Sequence, residues 1–255
     1  KQEVEIAISS EKKRQQALTH LIGHRVQRVL ILLSSLTKTY GDELGDRAIL
    51  RLLKAMPTVV YNYPFGILPK ELDNQLIEGG NQLVRFSRSA VYRSLFEKIV
   101  ESKNSKVLLD QKIFDMICTD PKIYEHLNSC KRVETFPNPQ FDNVQKNPYQ
   151  MGEELGNSLL PMIKKSPGFD YLITASDMIG QGVAHVLSNQ GIKTPKDLQI
   201  VGFDKVDALP YFKHPISTIE VPVEKMVGQT IDLLSNMPQS GGTYLARANY
   251  LKSNN

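Results

Sequence analysis

The 255-residue chain has no Trp and only two Cys. Without an indole, it lacks the group on which extracytoplasmic sugar receptors often stack a sugar ring. Cys118 and Cys130 lie twelve positions apart, which makes neither a metal-ligand spacing nor a disulfide framework. They read as free thiols of a reducing cytoplasm. No apolar run approaches the ~20 residues needed to span a bilayer; the longest, Val29 to Leu33, is strand-sized. No secretory leader pattern heads the chain. An excess of one charge sign is missing too: 31 Lys and Arg face 27 Asp and Glu, for a net charge of +4. The densest basic run, Lys12-Lys13-Arg14, reads as a solvated helix start rather than a phosphate-binding patch. Charge alone marks no DNA-reading helix.

What the chain does have is alternation of strand and helix patterns. Val4 to Ile8 reads as a strand. Ser9-Ser10-Glu11 can cap a helix reaching about Gly23, with Ala17, Leu18, Leu21 and Ile22 on its apolar face. Val29 to Leu33 is a continuous apolar strand, as in a parallel sheet buried on both faces. Ala48 to Leu53 fits a helix and Pro57 to Tyr61 a strand. Leu83 to Phe86 and Lys106 to Leu109 are strands around a helix at Ala90 to Val100. Ile113 to Leu127 is helical, with a new turn or kink at Pro121. Helices follow at Tyr149 to Ile163, Met178 to Asn189 and Val223 to Leu234. Strands follow at Tyr171 to Thr174, Leu198 to Phe203 and Ser217 to Val221. Pro64 to Gln82 and Pro137 to Pro148 are weakly patterned and read as loops or crossings. The expected fold class is α/β, with two doubly wound parallel-sheet lobes joined by a multi-strand hinge. Residues 1–85 plus 216–240 would form the first lobe. Residues 86–215 plus 241–255 would form the second.

The richest stretch runs from Asp170 to Leu234. An apolar run ends in Ser176-Asp177, and an amphipathic helix stops at Gly191. A Thr194-Pro195-Lys196-Asp197 turn then leads to Val201-Gly202-Phe203-Asp204, and later to Pro215-Ile216-Ser217-Thr218. These motifs, in this order, resemble the effector-binding domain of LacI/GalR-family transcription regulators. That family shows Asn-Asp, then Gly-x-x-x-Pro-x-Asp, Val-Gly-Phe-Asp-Asp and Pro-x-Thr-Thr. Upstream, Lys13 to Ser35, Met56 to Asn62 and Val84 to Ser89 resemble the family's second helix and third strand, its next strand, and its crossing into the second lobe. By that register a first strand and helix, and a DNA-binding headpiece, would precede Lys1.

The resemblance implies a cleft that closes on a small effector: a sugar, a sugar phosphate or a nucleobase. Asp204 is the leading ligand candidate, because an ionised carboxylate can accept two vicinal hydroxyls. Its other reading is a cap for a short helix near Val206. Ser176 stands where the family has Asn, and its shorter hydroxyl would reach a ligand less directly. Asp177 reads as the cap of the helix from Met178. Ser87 stands where an Asp is usual. Lys112 takes the region of the family's Arg clamp, as a point charge instead of a bidentate fork, or is a surface Lys. Phe141 could lie under a sugar or base ring, or in the core.

Other constellations carry less. His20 and His24 share a helical face, but no third ligand is visible and no Glu follows His20, so no metal or cofactor is expected. Gly79-Gly80 and Gly241-Gly242 are turns, not phosphate loops. No nucleophile elbow, paired-carboxylate set or Cys–His arrangement points to an enzyme. The expected protein is a cytoplasmic sensing domain that is not an enzyme and does not meet a membrane. It would work as a homodimer and reach operator DNA through a headpiece outside this chain. The alternative is a solute-binding protein of a sugar transporter.

Overall fold

The structure is a computed structural model. It describes residues 28–32, 54, 56–61, 70–86, 88–101, 105–118, 120–137, 147–165 and 168–253. In chain order the elements are β1 (Val29–Leu32), β2 (Thr58–Tyr61), α1 (Lys70–Glu78), β3 (Gln82–Phe86), α2 (Arg88–Glu101), β4 (Lys106–Asp110) and α3 (Gln111–Ile117). Next come α4 (Pro121–Ser129), β5 (Arg132–Phe136), α5 (Pro148–Lys165), β6 (Tyr171–Ile173), α6 (Asp177–Asn189) and β7 (Gln199–Asp204). The last are β8 (Ser217–Glu220), α7 (Val223–Ser235), β9 (Gly242–Ala246) and β10 (Asn249–Leu251). The expected elements at Val4 to Ile8, Ser9 to Gly23 and Ala48 to Leu53 lie outside the described residues.

The chain divides into two units, Lys1–Ser87 with Pro222–Ala246, and Arg88–Val221 with Arg247–Asn255. The first unit holds an all-parallel sheet in the order β1-β2-β3-β9. Helix α7 turns Met226, Thr230 and Leu233 inward and packs over β2, β3 and β9. Its last carbonyls need donors from outside the helix. The Arg28 guanidinium supplies them, to Leu234 and, at 2.7 Å, to Ser235. Buried Asn81 joins two elements: its side-chain oxygen accepts the Thr58 amide at 3.0 Å, and its amide donates to the Leu76 carbonyl.

The second unit holds a six-stranded sheet in the order β10-β8-β7-β6-β4-β5, parallel except for β10. From β4 the chain steps outward to β5, returns past β4 to β6, and continues to β7. Right-handed crossovers therefore put α5 and α6 on one face and α3 and α4 on the other. The strand order reverses between β4 and β6, which is where open α/β sheets part at their carboxyl ends. The core beneath α5 and α6 collects Leu108, Phe136, Leu155, Leu172, Val183 and Ile200.

Three expectations need correcting. Pro64 to Gln82 contains α1, whose Leu76 is buried at 1% exposure; a single buried apolar position between Asn74 and Glu78 is too weak a pattern to see. The helix expected at Ile113 to Leu127 is two helices. Asp120 caps the second with Pro121 in its first turn, and its carboxylate accepts the Lys122 and Ile123 amides. The lobe boundaries also shift. β8 pairs with β7 in the second unit and β9 with β3 in the first. The chain leaves the second unit only at Pro222, whose missing N–H cannot extend a ladder.

Candidate functional site

Each parallel strand of the second unit delivers a residue to the same edge of the sheet. In spatial order these are Phe136 from β5, Asp110 from β4, Thr174 after β6, Asp204 from β7 and Glu220 from β8. The edge is built by local capping. Ser176 has extended backbone, and its hydroxyl accepts the Ile179 amide at 3.3 Å. Asp110 does the same for α3 with one oxygen, which takes the Lys112 and Ile113 amides at 2.8 and 3.3 Å. Burial raises the Asp110 carboxyl above the usual range, and those two amides oppose the rise.

Asp177 is the most constrained group on this edge. It is fully buried. Its Oδ1 accepts the Thr218 hydroxyl at 2.6 Å and its Oδ2 accepts the Val206 amide at 2.9 Å. Thr218 in turn accepts the Lys205 amide at 3.2 Å. One carboxylate thus links the start of α6, the turn after β7 and strand β8. Burial, with Asp204 nearby, pushes the Asp177 carboxyl up to about 6, against the pull of its Thr218 and Val206 bonds.

The turn it holds is unusual. Asp204 has φ 101° and Lys205 φ 57°, a region that costs a non-glycine residue of order 1–3 kcal/mol. The Lys205 ammonium is paired with Glu220, the register neighbour of Asp204.

The sequence-derived candidates fare differently. Asp204 ends β7, Ser176 follows the neighbouring β6, and Lys112 follows β4 on the other side of β6, so the three share one sheet edge. Lys112 is exposed. Ser87 and Phe141 lie outside the described residues, as do His20 and His24. The cap of α6 is Ser176 rather than Asp177, because Asp177 is turned inward to Thr218 and Val206. Nor does Asp204 cap a helix after Val206: the short 3-10 turn Leu209–Tyr211 has no side-chain cap. Asp110, the N-cap of α3, carries a signal in the sequence: a polar residue closing an apolar strand before a helix.

Among the described residues, no three His, Cys, Asp or Glu side chains are placed to hold a metal ion, and no helix is long and apolar enough to cross a membrane. A recess between α5 and α6, lined by Glu153, Asn157, His185, Val186, Asn189 and Gln190, lies on the helical layer and not at the strand ends.

Residues 138–247 match the periplasmic binding protein-like domain family. The chain is similar to the HTH-type transcriptional regulator MalR of Clostridium butyricum, 28% identical over 81 residues, which is 32% of this chain and 24% of that protein. It is also similar to the HTH-type transcriptional regulator GalR of Streptococcus thermophilus, 29% identical over 119 residues, 47% of this chain and 35% of that protein. The matches thus span about a quarter to a third of the length of these relatives. In fold it is similar to the LacI-family regulator CcpA of Weissella paramesenteroides with bound glucose, with a TM-score of 0.66, 15% identity, and 96% of this chain and 83% of that one covered. Over residues 138–247 the chain is thus similar to periplasmic binding protein-like domains, and over parts of its length to HTH-type transcriptional regulators.

Proposed function

We propose that this chain is the ligand-sensing part of a bacterial transcription regulator and that its second unit supplies one wall of the effector site. The observation that carries this reading is the placement of Asp204. It ends β7 on the edge where doubly wound sheets take ligands, beside Ser176 and one strand beyond the reversal of strand order. A carboxylate there accepts hydroxyl or amine donors with charge-assisted bonds. The effector is a small polar molecule: a sugar, a sugar phosphate or a nucleobase. The Weissella neighbour holds glucose in one structure and sucrose in another, which favours a sugar. Effector binding biases the chain toward whichever conformation binds it better, and only by that difference in affinity.

The regulator would be cytoplasmic and catalytically inert. It would act as a homodimer and meet operator DNA through a headpiece outside this chain. The names of the relatives favour this over a transporter's solute receptor. A thermal-shift screen against sugars, sugar phosphates and nucleobases tests the proposal. A ligand at 100 times its Kd should stabilise the fold by about 2.7 kcal/mol. Asp204→Ala should abolish that shift while leaving the free protein's Tm nearly unchanged. An undiminished shift in the variant removes Asp204 from the site.

A further inference from the structure

The effector reading gives Asp204 a ligand to hold but does not explain how a non-glycine residue is kept at φ 101°. A flexible strand end would relax toward the broad β region, because positive φ is disfavoured for Asp by sterics. Three hydrogen bonds oppose that relaxation, and all converge on Asp177 and Thr218. The Val206 amide reaches Asp177 Oδ2 at 2.9 Å, the Lys205 amide reaches Thr218 Oγ1 at 3.2 Å, and Thr218 Oγ1 reaches Asp177 Oδ1 at 2.6 Å. The two residues following Asp204 are therefore tied by their backbones to one buried carboxylate. Asp177 cannot retreat from this role, because Gly202 leaves it no spare volume: even a Cβ there would sit 2.3 Å from Asp177 Oδ1.

We infer that Asp177 is a positioning residue for Asp204: through Val206 and Thr218 it locks the left-handed turn at 204–205 and so fixes where the Asp204 carboxylate points. This rests on reading Asp204 as the effector carboxylate. Asp177 itself has no surface with which to touch an effector, being fully buried. It raises affinity by pre-organisation, removing the ordering that a loose strand end would need on binding. The lock also couples three separate elements, α6, β7 and β8, so a change at any one of them reaches the ligand-facing side chain.

The experiment compares the wild-type chain with Asp177→Ala, Asp177→Asn, Thr218→Val and Asp204→Ala. The first readout is amide exchange at Lys205 and Val206 in the free protein, which needs no ligand. Asp177→Ala should speed exchange at Val206 by about 100-fold relative to amides within β6. Asp177→Asn keeps an acceptor facing Val206 and should hold exchange near the wild-type rate. The second readout is calorimetric affinity for D-glucose and sucrose, taken well below each variant's Tm. Affinity should fall about tenfold in Asp177→Ala and recover in Asp177→Asn. A residue that matters only for folding would lower Tm and leave the affinity of the folded protein alone.

Unchanged exchange at Lys205 and Val206 in Asp177→Ala overturns the lock. So does a loosened turn that binds sugar as tightly as before. Should Asp177→Ala fail to fold, Thr218→Val removes one leg of the same lock, and an unaltered Lys205 amide in it overturns the idea equally. If Asp204→Ala binds either sugar as tightly as the wild type, the effector reading fails, and with it the positioning of an effector carboxylate; if neither sugar binds the wild type, the sugar assignment fails and the exchange data decide whether Asp177 holds the turn.

Discussion

Gly202 passes so close to Asp177 that a side chain at that position would put its Cβ 2.3 Å from Asp177 Oδ1 and 2.8 Å from Asp177 Cα. The obstacle includes backbone and a carboxylate already held by two bonds, so neither can yield cheaply. Gly202→Ala should therefore cost about 3 kcal/mol, at the upper end for overpacking, and lower Tm by roughly 10 °C. A melting curve of the variant checks it, and a loss below 1 kcal/mol would show that Asp177 has room to move.

A second tight contact lies where α5 crosses α6. A Cβ on Gly182 would sit 2.1 Å from the Tyr149 carbonyl oxygen, and one on Gly152 would sit 2.2 Å from the Ile179 carbonyl oxygen. Gly228 in α7, by contrast, has nothing within 4 Å of where its Cβ would stand. Each Gly→Ala change gains helix propensity, worth roughly 0.5–1 kcal/mol. At Gly228 that gain stands alone, so Gly228→Ala should raise Tm slightly. At Gly152 and Gly182 the clash with backbone dominates, and urea unfolding should show losses of about 2–3 kcal/mol.

How far the sequence could be read follows the strength of its patterns. Strands β4, β6 and β7 were visible because each is an apolar run closed by a polar residue, as burial on both faces requires. β9 and β10 were not, since both lie at sheet margins and, apart from buried Ala246, hold only exposed and half-buried residues. That Asp204 and Ser176 stand at the strand-end edge is legible through the motifs around them. Asp177 was read as a cap because Ser-Asp before a helix fits either residue as the N-cap. What decides is a tertiary fact: Thr218, 41 positions later, supplies a hydroxyl for Asp177, leaving the cap to Ser176.

The two caps at the sheet edge give a third prediction. Ser176→Ala removes one acceptor from the first turn of α6, and Asp110→Ala removes the acceptor shared by Lys112 and Ile113. Each should cost about 1 kcal/mol, as N-cap losses do. Asp110→Asn retains an oxygen facing the two amides and should cost less than Asp110→Ala. Chemical denaturation of the three variants checks the order, and an Asn variant as unstable as the Ala one would show that charge, not capping, holds α3.

The pH dependence of stability carries the last prediction. The Asp177 carboxyl is raised from 3.8 to about 6, first by burial and further by Asp204. An acid whose pKa is higher in the folded state binds protons more readily folded than unfolded, so its contribution to stability falls as pH rises between the two values. The loss begins near pH 4, is complete a little above pH 6, and amounts to about 3 kcal/mol at most by the linkage factor of 1.36 kcal/mol per unit. His214 works in the opposite sense. Burial, helped by Lys213 and His185, lowers it below 6.5, so it adds stability as pH rises toward that value. Asp120, lowered by Arg93 and two backbone amides despite the opposing effect of burial, adds stability as pH climbs through the acid range. The total curve therefore mixes signs, and subtraction isolates the one of interest. The stability of wild type minus that of Asp177→Asn, measured by denaturant unfolding from pH 4 to 7.5, should fall across the window and then level off. A flat difference would mean that Asp177 titrates at its ordinary value despite its burial.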